Sequence, residues 1–220
     1  MDFVEGEVIC IDKPYEWSSF DVVKKIRGGL RIKKIGHAGT LDPLATGLLI
    51  LCTGKKTKKI NEIMEGNKVY TGTIELGKTT PSLDKETDIS ATKPIDHLTE
   101  ELIHEATKHF NGYIKQVPPI FSAIKVGGQR LYKKARKGVD VKIEPRFVLI
   151  ESFTITEINL PFVNFEVCCG KGTYIRSLAR DFGEKLNTLG YLTALRRTKI
   201  ASFSVDDALE PNEFINTQKA

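Results

Sequence analysis

The chain has 220 residues, of which 40% are hydrophobic and 28% charged, the proportions of an ordinary globular protein able to bury a full-sized core. Lys and Arg exceed Asp and Glu by 33 to 28, a net charge of +5 that is too small to single out a partner by itself. That composition excludes a collagen-like or disordered chain; no apolar run reaches membrane-spanning length and the acidic start lacks a signal-peptide core, so a cytoplasmic protein is expected.

Val8 to Ile11 reads as a short apolar strand closed by Asp12-Lys13-Pro14. Ser18 and Asp21 have the spacing of a capping box, which opens a helix with Phe20, Val23 and Ile26 inward and Gly28-Gly29 at its end. The loop Gly36 to Gly47, GHAGTLDPLATG, leads into a buried strand from Leu48 to Leu51. Lys55 to Met64 reads as a basic helix stopped by Gly66. Tyr70, Gly72, Ile74 and Leu76 then alternate with Val69, Thr71, Thr73 and Glu75, the period of a strand. Residues 77–97 read as a polar loop, and Thr99 to Phe110 as a helix with Leu102, Ile103, Ala106 and Phe110 on one side. After an extended Val117-Pro118-Pro119, a strand pair is expected from Phe147 to Ile158 and from Phe162 to Cys169. Thr173 to Leu189 forms a helix burying Ile175, Leu178, Phe182, Leu186 and Leu189; a strand-like tail from Leu192 to Val205 precedes an acidic terminal helix or loop. Helices and strands mix without βαβ alternation or a long repeat, which predicts an α+β protein: one domain over 1–220, with a mixed, mainly antiparallel sheet flanked by helices.

Charge is unevenly placed. Lys24, Lys25, Arg27, Arg31, Lys33 and Lys34 precede the Gly36–Gly47 loop, and Lys55, Lys56, Lys58 and Lys59 follow it. A third cluster, Lys125, Arg130, Lys133, Lys134, Arg136 and Lys137, contains no acid. Each alone reads as a solvated face, but three of them beside glycine-rich loops favour a polyanion. The four cysteines, Cys10, Cys52, Cys168 and Cys169, lie in strand-like runs without CxxC spacing and read as reduced core residues. His104 and His109 are five apart and share no helical face, so no metal is expected. The chain has no P-loop, GxGxxG, HExxH or GxSxG motif, which leaves ATP, redox-cofactor and metalloprotease chemistry without support.

What remains is a lone carboxylate, Asp42, in a confined loop. An Asp before a proline commonly caps its own backbone, and Pro43 restricts the direction of the side chain. On spacing alone the capping role is the better reading.

The blocks around it point further. GHAGTLDPLATGLL, KVYTGTIELGKTT, VPPIFSAIKVGGQRLYKKARKG, KGTYIRSLARDFG and LTALRRTKI, in that order, closely resemble the bacterial TruB family of tRNA pseudouridine synthases, over roughly Val8 to Val205. The resemblance implies the pseudouridine synthase fold and a cofactor-free isomerisation of one uridine in the T-loop of tRNA. The base is detached from C1′, turned, and rejoined through C5. Asp42 maps onto the family's catalytic aspartate, Tyr70 onto the tyrosine that stacks on the target base, and Arg176 onto the arginine paired with the aspartate. Tyr174 and Leu195 match residues lining the base pocket, Asp84 a second acid near the substrate, and His37 the histidine that touches RNA where the base leaves its stack. Lys68 is counted with the substrate-binding residues. Lys125, Arg130, Lys133 and Lys134 are the expected phosphate grip. Addition of Asp42 to C1′, addition to the ring, and assisted elimination to a glycal all remain open.

Two departures stand out. Many family members continue into a small C-terminal RNA-binding (PUA) domain, whereas here only Asp206 to Ala220 remain, so none is expected. The stretch after Asp84, KETDIS, lacks the glycine common there, which loosens the placement of Asp84. A monomer acting on the T-arm without guide RNA or membrane is expected. Its rivals are the guide-RNA-dependent relatives and an RNA-binding factor that does no chemistry.

Overall fold

The computed structural model describes residues 1–122, 125–126, 129–130 and 143–219, of 125–126 and 129–130 the backbone alone. In chain order its first elements are β1 (Val8–Lys13), α1 (Ser19–Gly29), β2 (Ile35–Ala38), β3 (Thr46–Thr53), a 3₁₀ turn (Gly54–Lys59), α2 (Ile60–Glu65) and β4 (Lys68–Leu76). Short strands β5 (Lys78–Thr79) and β6 (Ala91–Thr92) precede α3 (Glu100–Thr107), a 3₁₀ turn (Lys108–Phe110), β7 (Gly112–Gln116) and the two-residue strands β8 (Lys125–Val126) and β9 (Gln129–Arg130). Then come β10 (Arg146–Asn159), β11 (Phe162–Cys169), α4 (Ile175–Lys185), β12 (Gly190–Ile200), β13 (Phe203–Ser204), a 3₁₀ turn (Val205–Asp207) and α5 (Pro211–Thr217). The α+β class and the mixed, mainly antiparallel sheet expected from the sequence are what the chain forms.

The chain divides into two compact units, Met1–Thr71 with Leu195–Ala220, and Gly72–Ala194. In the first, β3 pairs antiparallel with β1 and β2 and parallel with β12 through Arg196↔Thr46 and Arg197↔Gly47. Why β3 is apolar without a break from Leu48 to Cys52 is clear from its two faces. Leu49 and Leu51 pack with Ile9, Ile11, Val22, Ile26, Phe214 and Ile215, whereas Leu48, Ile50 and Cys52 pack with Ala38, Ile63 and Ile200. A strand covered on both sides loses the polar alternation of a half-exposed one.

In the second unit β10 pairs antiparallel with β11 and β7. Its core gathers Phe153 against Phe110, Phe165 and Phe182 at centroid distances of 5.9, 5.7 and 5.2 Å, all edge to face.

Several expectations need correction. The capping box at Ser18 is present, with both reciprocal bonds formed, but Phe20 is 69% exposed, and Ser19 and Val22 join Val23 and Ile26 on the buried face. Leu102 is likewise half exposed, at 49%. The basic helix from Lys55 is a 3₁₀ turn over its lysines and turns α-helical only at Ile60. The loop 77–97 contains the β5–β6 pair. The helix expected from Thr173 starts at Ile175 and ends at Lys185. All four cysteines are free thiols, Cys52 and Cys169 buried and Cys10 and Cys168 half-buried.

Candidate active site

In the first unit the Asp42 loop joins β2 to β3 and is held from three sides. From α1, Ser19 Oγ accepts the Leu41 N–H at 2.8 Å and donates to the Leu41 carbonyl at 3.1 Å. From β1, the Lys13 ammonium donates to the carbonyls of Pro43, Trp17 and Pro14 at 3.1, 2.5 and 2.8 Å. From β12, Arg197 donates through Nε to the Leu48 carbonyl at 2.8 Å and through Nη2 to the Gly39 carbonyl at 3.2 Å. Inside the loop the Ala45 N–H returns to the Asp42 carbonyl at 3.1 Å, closing a tight turn over Pro43. The half-buried Asp42 carboxylate thus rides on a backbone fixed by three partners.

The electrostatics of this loop are cationic. Lys13 is fully buried, and its desolvation pulls its pKa down to about 8. The carboxylates of Asp42 and Asp21 oppose that fall, and Arg197 adds to it. Arg197, only 1% exposed, lies with Cζ 6.0 Å from the Tyr70 ring centroid, a cation over an aromatic face. Tyr70 is itself buried. Burial holds the His37 imidazole below its ordinary pKa, partly offset by the Gly39 backbone, with Arg197 pulling further down. Its Nδ1 has no hydrogen-bond partner among the described residues. Lys68 is buried, and its ammonium donates to the carbonyls of Met64 and Gly66, at the end of α2. Leu195 is half-buried on β12.

The remaining expected site residues with described side chains lie in the second unit. Asp84 and Arg176, 7% and 4% exposed, form an ion pair with Oδ2 and Nε 3.6 Å apart. The guanidinium also donates to the Ser82 carbonyl at 3.0 Å and the Phe121 carbonyl at 2.9 Å. Asp84 accepts the Glu86 N–H at 2.9 Å, and its carbonyl accepts the Thr80 hydroxyl at 2.6 Å. These bonds hold it without the glycine that the sequence lacks. Tyr174 caps α4; Gln116 bonds its backbone on both sides, at 2.8 and 3.1 Å, and Arg146 Cζ stands 4.8 Å over its ring. Of the expected phosphate grip, Lys125 and Arg130 face each other as backbone partners in the β8–β9 pair, and Lys133 and Lys134 lie outside the described residues.

Two residues of this site went unmarked in the sequence reading, Lys13 and Arg197. Each carried a signal. Lys13 is in phase with Ile9 and Ile11 on the buried side of β1. Arg197 follows Arg196 on a strand, so one of the two must face inward. Arg196 takes the outer role, gripping Asp12 in a two-point pair at 3.0 and 2.6 Å.

A family model described as TruB family pseudouridylate synthase (N terminal domain) matches residues 27–175, which include the Asp42 loop, Tyr70, Asp84 and Tyr174. The chain belongs to the TruB family. A tRNA pseudouridine synthase B of Flavobacterium johnsoniae is 55% identical over 216 residues, covering 95% of this chain and 94% of that protein. One from Phocaeicola vulgatus is 50% identical over 220 residues, covering 97% and 94%. Among solved structures, a chain of the Cbf5–Nop10–Gar1 complex superposes with a TM-score of 0.76 at 28% identity, covering 97% of this chain. This TruB-family chain spans 54%, about half, of that one's length.

Proposed function

We propose that this TruB-family enzyme converts the T-loop uridine of tRNA, position 55, to pseudouridine, with Asp42 as the reacting carboxylate. The reaction breaks the C1′–N1 bond, forms C1′–C5, moves a proton off C5 and returns one to N1. Every atom and electron is conserved, so neither a redox partner nor a group donor is required. Departure of the base builds positive character on C1′, and a carboxylate on a rigid loop is suited to stabilise or to capture it. The observation that carries the reading is the loop itself: Ser19, Lys13 and Arg197 fix the backbone on either side of Asp42, which spares the reaction the cost of orienting its anion.

Tyr70 receives the extruded base. Extrusion costs roughly a few kcal/mol, of which stacking on an aromatic ring returns about 1–3 kcal/mol. Arg176 keeps the catalytic role that the resemblance implies, and Asp84, His37, Tyr174 and Leu195 a substrate-binding one. Lys68 is better suited to a supporting role, since its ammonium already caps α2. Action on bare tRNA without guide RNA is supported by an identity of 55% to a tRNA pseudouridine synthase B, against 28% to the chain of the Cbf5 complex.

The test uses purified protein alone with tRNA carrying tritium at C5 of uridine. Wild type should release tritium. Asp42→Asn should release none, a loss of at least about 10⁴-fold, while binding tRNA within about threefold of wild type. Normal turnover by Asp42→Asn would show that another group carries the chemistry.

A further inference from the structure

Tyr174 opens α4 with no side-chain cap of its own, although Ser, Thr, Asp or Asn is the usual residue at such a position. The second unit supplies the missing bonds from elsewhere. Gln116, the last residue of β7, is fully buried, and its amide engages both backbone groups of Tyr174. Its Oε1 accepts the Tyr174 N–H at 2.8 Å, and its Nε2 donates to the Tyr174 carbonyl at 3.1 Å. That carbonyl also accepts the Leu178 N–H at 3.1 Å, so both of its lone pairs are used.

Arg146, the first residue of β10, is the partner of Gln116 in the β7–β10 ladder. Its guanidinium donates to the Gly172 carbonyl and lies over the Tyr174 ring, with Cζ 4.8 Å from the centroid. Partners across a rung point to one face of a sheet, so a single rung holds the backbone and the ring of Tyr174 together. Both residues are in phase with the apolar side of their strands, Gln116 with Ile114 and Arg146 with Val148 and Ile150. A polar group placed there is costly unless it is bonded, and the bonds it makes all lead to 172–174.

The grip is returned from α4. Ser177 Oγ and Arg180 Nη2 donate to the Val117 carbonyl at 2.8 and 3.2 Å, and Arg176 donates to the Phe121 carbonyl at 2.9 Å. The stretch 116–121 and the first two turns of α4 are therefore joined by side chains from both sides, and Arg176 leaves this joint to pair with Asp84.

We propose that Gln116 and Arg146 are positioning residues for pseudouridine formation, which set the orientation of Tyr174 and, through the start of α4, of Arg176. The proposal rests on the tRNA reading above and adds to it two side chains that act through Tyr174. An apolar residue at 116 would fill the same space and leave β7 paired through its backbone, but nothing would then fix the rotation of the Tyr174 peptide. Arg146 restrains what the backbone bonds leave free, the ring itself.

The deciding variant is Gln116→Glu in the full chain. A neutral carboxyl donates one hydrogen bond and accepts another, as the amide does, whereas a carboxylate only accepts. Burial raises the pKa of a carboxyl at this position, so lowering the pH restores the lost donor. Tritium release and filter binding of tRNA are measured from pH 6 to 8.5, each against wild type at the same pH. At pH 8.5 the variant's kcat should be about thirtyfold below wild type with tRNA Kd within about threefold, and at pH 6 the kcat deficit should shrink to about fivefold or less. Gln116→Met should keep its deficit at every pH. Arg146→Met should lower kcat about tenfold, and the double variant should lose less than the product of the two single losses, because both act through one tyrosine. Wild-type kcat in Gln116→Met, with or without a lower Tm, would overturn the proposal, as would a Gln116→Glu deficit that does not change with pH. Amide exchange reads the joint without substrate: the Tyr174 N–H should be protected in wild type and exchange about tenfold faster or more in Gln116→Met. A wild type with that amide protected through Gln116 but no tritium release would sink the assigned reaction and leave the hold on Tyr174 standing.

Discussion

Lys13 shows how one buried cation can hold a reactive loop. Its ammonium satisfies three carbonyls at once, including that of Pro43, next to Asp42. Replacing it with methionine, which keeps the stem, orphans those acceptors, and the expected cost is about 1–3 kcal/mol with a fall in kcat as the loop relaxes. The pH dependence follows from its lowered pKa. Between about 8 in the folded chain and 10.5 in the unfolded one, the unfolded chain holds a proton that the folded chain has shed. Folding in that window releases a proton, so stability rises with pH there, whereas below about 8 the desolvation penalty is present in full. Urea unfolding of wild type and Lys13→Met at pH 7.5 and 10 cancels the other titrations. The wild type should gain on the variant at the higher pH; a gap that stays flat or narrows would show that Lys13 does not titrate in this window. Sequence reasoning reached Asp42 and Tyr70 because the blocks around them are distinctive. It passed over Lys13 and Arg197 because charge in a strand reads as solvent exposure until the phase of its neighbours is counted.

At the scale of elements, the close approach of β3 and β12 matters most. Gly47 has φ +100°, and a Cβ there would lie 2.3 Å from the Arg197 carbonyl oxygen. The contact is backbone to backbone, so no side chain can swing away. Gly47→Ala should cost at least about 1–2 kcal/mol from conformation alone, with the clash adding more, or several degrees of Tm. Because the displaced strand carries Arg197, kcat should fall more steeply than stability predicts, and near-ultraviolet circular dichroism should report a changed Tyr70 environment. A variant with wild-type Tm and kcat would mean that the two strands can part without consequence. The elements themselves were largely legible. Ser18 and Asp21 announced α1 through side chains that bond each other and the adjacent backbone. The inward face was less so: Phe20 stands about 100° round the helix from Ser19, and a small hydroxyl that grips Leu41 took the buried position a large ring seemed to claim. The lysines of 54–59 gave no periodic signal because a 3₁₀ turn anchored by Gly54 N–H needs none.

At the scale of the molecule, the unit that carries Asp42 is made from both ends of the chain. The tail returns through the Asp12 N–H bond to the Leu209 carbonyl at 3.0 Å and then lays α5 on α1, where Ile215 fills the space a side chain at Gly29 would need. Phe214 and Ile215 sit in the same core cluster as Ile11, Val22, Ile26 and Leu49, and so beneath the strand and helix that supply Lys13 and Ser19. No residue of α5 is placed in the site, yet the site should depend on it. Phe214→Ala leaves a cavity against α1 and is expected to cost about 3–5 kcal/mol, on the order of 10 °C in Tm. Activity measured well below that melting point should also fall, because Ser19 loses the packing that sets its distance to Leu41, and amide exchange should quicken in β1 and β3. Tyr113→Ala is the matched control, since that ring is 76% exposed and should change neither stability nor turnover. Were Phe214→Ala to lose stability while its β1 and β3 amides and its kcat stayed at wild-type values, the Asp42 loop would have to be rigid without its underlying core, and the three-sided clamp described for it would be redundant.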